Sequence, residues 1–368
     1  MAKDSKKSKT KSSKRKLNLK GKVTLVLGIL AVIAIVAVGV VYSTYKSYYS
    51  KMNYQETVER TELGRGMQRI LNGDIGTLMW SDHVYNVLLI GQDTRVQGED
   101  GRSDAMILVS INKQTEEIVM TSLMRDMWVY IPGYGAERIN QAYEYGGVQL
   151  LIDTVETNFH IRIDNYVTID FYAFMDMVDA LGGVEMTITD AEVENMKYYF
   201  HREINPMLGR PLTTDVIEKG GTYTLNGVQT LAYVRCRYLE GGDFGRTERQ
   251  RKVLNVIFER FKSCSVSEML DVLEVVLPYI TTDIDEETMF SLLTNTALQY
   301  KDYELVTHTV PYEGTWENWI HEMTGETKDV LSVDIELNSQ LMIKDIYGVE
   351  IIGEEDSSVE SEDITEVE

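Results

Sequence analysis

The hydrophobic and polar positions of residues 80–348 alternate between strand-like and helix-like patterns. Short apolar or alternating runs typical of strands occur at 84–91, 164–171, 184–190 and 230–238. Two β-rich runs within 105–123, separated by Asn112-Lys113-Gln114-Thr115, predict a hairpin. Helical spacing occurs at 147–159, at 171–183 and from about 247 to 262. The pattern predicts an α/β domain of α-β-α layers around a mixed central sheet.

A longer apolar run precedes this domain. Residues 23–42 contain no charged side chain, and twenty helical residues span about 30 Å, the thickness of a bilayer core. The run exceeds the 7–15 residues usual in a cleaved signal peptide, which is the alternative, so we predict an uncleaved membrane helix. Residues 1–22 carry ten basic side chains and one acidic one, a bias that places the N-terminus in the cytoplasm and the body outside.

Composition sets the remaining boundaries and excludes some functions. Residues 43–79 are polar and predict a helical extracytoplasmic stalk, and residues 349–368, with nine acidic and no basic side chains, predict a disordered tail. The catalytic body is therefore expected at 80–348.

The formal net charge of −22 argues against binding to nucleic acid, which needs a cationic face. Only 2 Cys occur, which excludes a scaffold built on disulfides.

Charged side chains and one amide stand at the ends of the apolar strands and in the segment that follows the last of them. They are Asp93, Arg102, Asp104, Arg125, Asp126, Arg235, Arg237, Asp243, Arg246, Arg249 and the amide Gln250. If 230–238 is a strand, Arg235 and Arg237 point to the same face. If a helix begins near Arg246, then Arg246, Arg249 and Gln250 share one helix face.

This set predicts a binding site for a phosphorylated ligand. Several guanidinium groups directed at one point repel one another unless a polyanion lies between them, and they match phosphate oxygens in pairs. Asp93 and Asp104 are the natural pair to hold Mg²⁺ beside such a ligand. For any single pair, such as Arg125 and Asp126, a structural salt bridge is the simpler interpretation. For the whole set at strand ends, where ligands of α/β folds gather, we favour a site for phosphoryl transfer.

The same segments resemble the successive motifs of the LytR-CpsA-Psr family. The matching segments, in family order, are NVLLIGQDTR, GRSDAMILVSI, SLMRDMWVYIPGYG…RINQAY, DNYVTIDF, LGGVEM, LNGVQTLAYVRCR and DFGRTERQ. They cover about 82–260, with weaker similarity to about 348. Arg138 replaces the Lys that is common in one motif, which keeps the charge.

The resemblance implies a membrane-anchored phosphotransferase. Family enzymes move a glycopolymer, such as teichoic acid or capsule, from a polyprenyl diphosphate carrier to peptidoglycan and form a phosphodiester. By motif, Asp93 and Asp104 would hold Mg²⁺, and Gln250 would assist the arginines that bind the diphosphate, which are Arg102, Arg125, Arg235, Arg237 and Arg246. Asp243, or one Asp of the metal pair, would accept the proton of the acceptor hydroxyl. The implied catalytic set is Asp93, Arg125, Asp243 and Arg246.

The resemblance also implies an apolar tunnel for the prenyl tail. Its candidate lining lies on the helix at 171–181 and consists of Phe171, Phe174, Met175, Val178 and Leu181, for which plain core packing is the alternative. Cys236 and Cys264 could form a disulfide outside the cell, although two buried thiols agree better with their surroundings.

Three other functions share some of these features. A non-catalytic protein that binds polyprenyl phosphates would use the same arginines. A transcriptional regulator is disfavoured by the acidic body and its expected external position. A diphosphate hydrolase would differ only in its acceptor.

Overall fold

A seven-stranded mixed sheet forms the centre of the protein in the computed structural model, which describes residues 42–47, 49–55, 78–93, 102–237, 239–323 and 326–349. In spatial order its strands are β1 (Asn53–Tyr54), β10 (Thr281–Thr282), β7 (Asn165–Asp170), β2 (Val84–Asp93), β3 (Arg102–Asn112), β4 (Glu117–Leu123) and β11 (Glu304–Val310). The pairs β1–β10, β2–β7 and β4–β11 are parallel, and the other neighbours are antiparallel. The predicted mixed α/β fold with a central mixed sheet is confirmed.

Side chains along each strand point alternately to the two faces of this sheet, and both faces carry apolar residues. On one face the register places Leu88 opposite Leu108 and Ile90 opposite Met106, and all four are buried. On the other face Ile107 and its neighbours pack with residues from outside the sheet. A sheet buried on both faces needs a layer of helices on each side.

Four helices supply these two layers. Helices α1 (Gln141–Phe159) and α8 (Ile335–Tyr347) contribute buried side chains to the first core. Helices α5 (Gly242–Ser263) and α7 (Glu286–Leu298) pack against the opposite face. The first turn of α5 lies near the end of β4, where Asp243 approaches Arg125.

A second, four-stranded sheet continues from the end of β4. Its order is β12 (Trp316–Met323), β13 (Glu326–Val333), β5 (Met127–Ile131) and β6 (Gly135–Arg138). Alternate residues of β5, namely Met127, Val129 and Ile131, are buried in the first core, while Trp128 and Tyr130 lie on the other face and are more exposed. This sheet therefore has one apolar inner face and one accessible outer face.

A separate hydrophobic core lies between α2 (Phe171–Ala180), α3 (Asp190–Tyr199), α4 (Gly227–Arg235), α6 (Val266–Val276) and the hairpin of β8 (Val184–Ile188) and β9 (Gly221–Leu225). A π-helical turn, Phe200–Ile204, follows α3 directly. Helices α2 and α4 approach so closely that a Cβ atom on Gly227 would lie 2.1 Å from the carbonyl oxygen of Met175. Only glycine fits at this position.

The prediction of a strand at 230–238 is wrong. The residues up to Arg235 belong to α4, which begins after a capping box in which Asn226 accepts from the backbone N–H of Gln229 and the Gln229 side chain accepts from that of Asn226. A capping box is a recognised sequence signal for a helix N-terminus, and here it outweighs the β-rich composition of Thr-Leu-Ala-Tyr-Val. Arg235 and Arg237 therefore do not share a strand face.

Two further boundaries differ from the prediction. The helical stalk predicted over 43–79 is wrong at Asn53–Tyr54, which pair with Thr281–Thr282 as a strand of the central sheet. Helix α5 begins at Gly242, earlier than predicted, so Asp243 lies within its first turn. The strands, hairpin and helices predicted between 84 and 190 are confirmed within a few residues.

The N-terminal region forms a unit of its own, up to Ser50. Of this unit the structure describes residues 42–47, which are helical, and 49–50. Across the parts of the chain that are described, no helix combines the length and apolarity needed to cross a bilayer. The basic segment 1–22, residues 23–41 of the predicted membrane helix and the tail from 350 onward lie outside the described residues.

We expect Gly227→Ala to destabilise the protein by at least about 2 kcal/mol, because the added Cβ overpacks the contact between α2 and α4. Urea unfolding measures this. Gly314→Ala is a suitable control, because Gly314 has open space around it and a φ of +81°. An alanine there meets no neighbouring atom, and its left-handed backbone alone destabilises the protein by about 1 kcal/mol. Equal losses in the two variants would contradict the tight contact.

Candidate functional site

The site begins where the strands β2 and β3 end. The residue pairing between β2 and β3 is regular up to Gly91 opposite Ala105. The next pair is Gln92 opposite Ser103, so Asp104 has no opposite residue on β2 and forms a β-bulge. A bulge turns a side chain away from the direction that simple alternation dictates. Here it leaves Asp93 and Asp104 as carboxylates at one end of adjacent strands.

Arg125, which follows β4, connects the carboxylates of three segments. Its Nη1 donates to Oδ1 of Asp104 at 2.8 Å, and its Nε donates to Oδ2 of Asp126 at 3.3 Å. Its Nη2 lies 3.7 Å from Oδ2 of Asp243 in α5. The Arg125 side chain is 13% exposed, so this guanidinium is held by its partners rather than by solvent.

Asp243 occupies the first turn of α5 and gathers two more arginines. Arg237 Nε lies 3.1 Å from Oδ1 of Asp243, and Arg246 Nη1, one helical turn further on, lies 3.4 Å from the same oxygen. A carboxylate in the first turn is also favoured by the helix dipole. Asp243 therefore sits between three guanidinium groups that would otherwise repel one another.

Arg235 ends α4 and forms the other half of the cluster. Its Nη1 donates to Oδ1 of Asp93 at 3.2 Å, and its Nη2 donates to Glu203 in the π-helical turn. The guanidinium carbon lies 4.6 Å from the centre of the Phe171 ring and 5.6 Å from that of Tyr199. Aromatic faces stabilise a cation while leaving the edges of its plane available for hydrogen bonds.

A cavity of about 190 Å³ opens beside Arg235. One part of its lining is charged and the other is apolar, and the residues are Asp93, Phe171, Arg202, Glu203, Ile204, Met207 and Arg235. This lining suits a ligand that joins an anionic group to an apolar chain.

Several guanidinium donors in the cluster lack an acceptor. The Nε atoms of Arg138, Arg235 and Arg246 are buried and make no hydrogen bond with any described side chain or backbone group. A buried donor without a partner destabilises a folded protein by about 1–3 kcal/mol. Three such donors in one cluster are the feature expected of a site built to accept an oxyanion.

Asp126 and Asp243 form a pair of carboxyl groups with opposite pKa shifts. Burial, and then a hydrogen bond with Asp243, raise the pKa of Asp126. Burial acts in the same direction on Asp243, but Arg246, the hydrogen bond with Asp126, Arg125 and Arg237 together lower its pKa. Two adjacent carboxyl groups resist ionising together, so one of them tends to hold a proton. The arginines around Asp243 favour its ionised form over that of Asp126.

The arginines respond to the same surroundings. Burial alone would lower the pKa of Arg125, but Asp104, Asp126 and Asp243 raise it overall. Burial and the neighbouring Arg125 lower the pKa of Arg246. An additional anion nearby would therefore stabilise the charged form of Arg246.

The structure brings together seven of the predicted polar site residues, which are Asp93, Asp104, Arg125, Arg235, Arg237, Asp243 and Arg246. Among the described side chains, no hydrogen bond joins Gln250 to this cluster. Backbone pairing places Arg102 opposite Asp93, but the side chain of Arg102 lies outside the described residues. Arg249, expected on the same helix face as Arg246, instead donates to the carbonyl oxygen of Cys236 at 2.6 Å.

Of the residues predicted to line a lipid tunnel, Phe171 is the one that lines the cavity. Met175, Val178 and Leu181 are buried in the second core, and Phe174 packs against it. Cys236 and Cys264 are both free thiols, so they are not joined in a disulfide. Burial raises the pKa of the Cys236 thiol to about 12, which makes it unreactive.

Sequence reasoning missed Glu203, and it named Arg138 and Asp126 without their roles in the cluster. Glu203 lies in a π-helical turn, for which the sequence offers no spacing signal. Arg138 contacts Asp126 with 3.6 Å between Nη1 and Oδ1, and it lies on β6 opposite Trp128. The role of Asp126 as a proton-sharing partner of Asp243 depends on a contact between distant parts of the chain.

Comparison with known proteins gives one consistent result. The profile of the LytR_cpsA_psr family matches residues 40–339. The chain is 34% identical over 232 residues to a polyisoprenyl-teichoic acid–peptidoglycan teichoic acid transferase, TagU, of Oceanobacillus iheyensis, covering 61% of this chain and 66% of that protein. It is 34% identical over 260 residues to the protein of the same name in Halalkalibacterium halodurans, covering 70% and 79%. It thus spans about two thirds of the length of the first relative.

A solved structure is similar over most of the chain. It is a LytR-CPS2A-psr family protein, YwtF (TagT), with bound octaprenyl pyrophosphate lipid. The TM-score is 0.52 and the identity 27%, and the match covers 75% of this chain and 95% of that one.

The opposite shifts of Asp126 and Asp243 predict opposite effects of pH. A raised pKa in the folded state contributes stability at low pH that is lost as the pH rises through that pKa, so Asp126→Asn should gain stability relative to wild type from pH 4 to pH 8. A lowered pKa contributes stability that is lost as the pH falls below the unfolded-state value of about 4, so Asp243→Asn should lose stability relative to wild type as the pH rises from about 2 to about 5. Urea midpoints from about pH 2 to about pH 8 measure both trends, and trends of the same sign would contradict the pairing.

Proposed function

The chain belongs to the LytR-CpsA-Psr family, and on that basis we propose that it is a membrane-anchored transferase acting in cell-wall assembly. It moves a glycopolymer of the teichoic acid or capsule class from a polyprenyl diphosphate carrier to peptidoglycan. The relatives named as teichoic acid transferases support this substrate class. Residues 23–42 supply the anchor, with the basic N-terminus in the cytoplasm and the body outside the cell.

One observation carries the proposal. Arg125, Arg237 and Arg246 meet around the carboxylate of Asp243, and Arg235, paired with Asp93, lines a cavity whose lining is divided between charged and apolar side chains. A diphosphate attached to a prenyl chain has this same division. The lipid-bound structure of a similar protein agrees with such a ligand.

The cavity suggests how the carrier is oriented. Arg235 lies at the charged side, close to Phe171, so it contacts the phosphate next to the lipid, while the prenyl chain begins along Phe171, Ile204 and Met207. Arg125 and Arg246 then face the phosphate that carries the glycan. The Nε of Arg246, which has no partner among the described residues, binds charge that grows on the phosphoryl oxygens during transfer.

The reaction exchanges the phosphoanhydride bond of the carrier diphosphate for a phosphodiester bond to the acceptor. The acceptor hydroxyl oxygen forms a bond to the phosphorus that bears the glycan, and the bond from that phosphorus to the bridging oxygen breaks. Lipid monophosphate leaves with the bond electrons, and the hydroxyl proton passes to a carboxylate. Asp243 is a poor proton acceptor because its arginine neighbours lower its pKa. We therefore assign proton acceptance to Asp93 or Asp104, and the positioning of arginines to Asp243.

Asp93 and Asp104 also fit the donor chemistry of Mg²⁺. Both present carboxylate oxygens on adjacent strands, and magnesium in phosphoryl-transfer sites is held by one or two carboxylates together with substrate phosphates. In the described part of the chain no group of three or more His, Cys, Asp or Glu side chains could hold a metal without substrate. When bound, the ion would neutralise charge on the diphosphate.

We expect Arg235→Ala to lower transfer from a polyprenyl diphosphate donor to peptidoglycan by about 10²- to 10³-fold, because it removes the main cation at the cavity. Arg235→Lys should retain part of the activity. Arg162→Ala is the matched control, since Arg162 pairs with Asp164 and Trp80 outside the cluster. Full activity in a folded Arg235→Ala protein would refute the proposal.

Magnesium dependence separates the enzyme from a protein that only binds the lipid. Chelation should abolish transfer, and Asp93→Asn and Asp104→Asn should each raise the Mg²⁺ concentration needed for half-maximal rate by about tenfold or more. Binding of a fluorescent polyprenyl phosphate, measured in parallel, should persist in both variants. A protein that transfers equally well with chelator present would exclude this use of the two carboxylates.

A further inference from the structure

The outer face of the four-stranded sheet carries a group of aromatic side chains. The strand register places three residues on this face: Trp128 of β5, and Trp319 and His321 of β12. Strand β13 lies between β5 and β12. Ring centroids lie 4.5 Å apart for Trp128 and His321, 4.7 Å for Trp319 and His321, and 6.1 Å for the two tryptophans. We call these three residues the aromatic face.

The aromatic face is accessible to solvent. Trp319 is 43% exposed, and Tyr130, which alternates with Trp128 along β5, is 39% exposed. Tryptophan is usually among the most buried residues, and exposed clusters of aromatic side chains commonly mark binding surfaces. On the same face Glu317 lies opposite Ser332 and His321 lies opposite Lys328, while Val330, opposite Trp319, is buried.

This face is continuous with the arginine and carboxylate cluster. Trp128 lies directly opposite Arg138 in the pairing of β5 with β6. Arg138 contacts Asp126, Asp126 contacts Arg125, and Arg125 contacts Asp104. The cavity beside Arg235 adjoins the other end of this chain of contacts, through Asp93. The aromatic face and the cavity thus lie at opposite ends of the charged site.

That arrangement distinguishes the two substrates. In phosphoryl transfer the attacking and leaving oxygens lie roughly in line on opposite sides of the phosphorus. The leaving lipid phosphate belongs on the cavity side, so the attacking hydroxyl must approach from the other side, where the aromatic face lies. Flat aromatic rings stack against the C–H faces of sugar rings, and Arg138 and Glu317 offer hydrogen bonds to hydroxyl and acetamido groups at the edges.

We propose that Trp128, Trp319 and His321 bind the acceptor, a glycan strand of N-acetylated amino sugars in peptidoglycan, and direct its hydroxyl toward the arginine cluster. This inference depends on the proposed transferase function for the acceptor's identity, but binding of the glycan can be measured without catalysis. The occupant is the acceptor strand rather than the donor glycan or a membrane surface.

The test uses the full chain in detergent and soluble peptidoglycan glycan strands, freed of peptides, as the probe. Trp319→Ala should weaken binding of these strands and raise the acceptor KM by about tenfold, with kcat and the donor KM nearly unchanged. Trp319→Tyr should restore most of the affinity, because a stacking ring remains. Trp128→Ala provides a second variant from another strand of the same sheet.

Trp80→Ala is the matched control, because Trp80 is 53% exposed but lies beside Arg162, away from the aromatic face. Arg235→Ala should abolish transfer and leave glycan binding intact, which separates failure of this inference from failure of the transferase proposal. Unchanged glycan binding and acceptor KM in Trp319→Ala would overturn the inference. A rise in donor KM alone, or a loss of binding to anionic lipid vesicles alone, would also overturn it.

Discussion

The site depends on the electrostatic balance around Arg125 and Asp243. Guanidinium groups from β4, α4 and α5 can occupy one small volume only because carboxylates lie between them. The carboxylates in turn are tolerated next to each other because their pKa values move apart. Burial and Asp243 raise the pKa of Asp126, whereas Arg246 and the other arginines lower that of Asp243 despite its burial. Neither set would be stable alone at this degree of burial. The folded chain thus holds a cluster of opposite charges that a phosphorylated substrate can enter by replacing some of the internal contacts.

The scaffold fixes the positions of these charges without contributing chemistry itself. The central strands end at the cluster, and their two apolar faces hold them rigidly between α1 and α8 on one side and α5 on the other. The close contact at Gly227 sets the distance of α4 from α2, and therefore places Arg235 over Phe171. Sites built on packed strands and helices keep their geometry better than sites built on loops. The aromatic sheet extends the same rigid framework toward the proposed acceptor.

Much of this arrangement follows from local features of the sequence. The apolar run along 84–91 and the β-rich runs within 105–123 predicted the central strands, because strands buried on both faces are apolar along their whole length. Arg and Asp residues at strand ends identified most of the cluster. The error at 230–238 arose because Thr230, Tyr233 and Val234 favour strands, whereas the capping box at Asn226 favours a helix, and the box prevailed. The long-range partners of the arginines could not be predicted, since tertiary packing alone brings Glu203 to Arg235, and Asp104 and Asp243 to Arg125. Local patterns carry no information about such distant contacts.

The β-bulge at Asp104 has a consequence for how the protein can change over evolutionary time. The extra residue shifts the alternation of β3 by one position, so Ser103 and Ala105 pair with neighbours that point to opposite sides of the sheet. Losing one residue here would restore regular alternation and turn the Asp104 carboxylate, or its replacement, out of the cluster. Substitutions within this strand are therefore tolerable one at a time, but its length is not free to vary. Insertions and deletions in relatives should accumulate elsewhere.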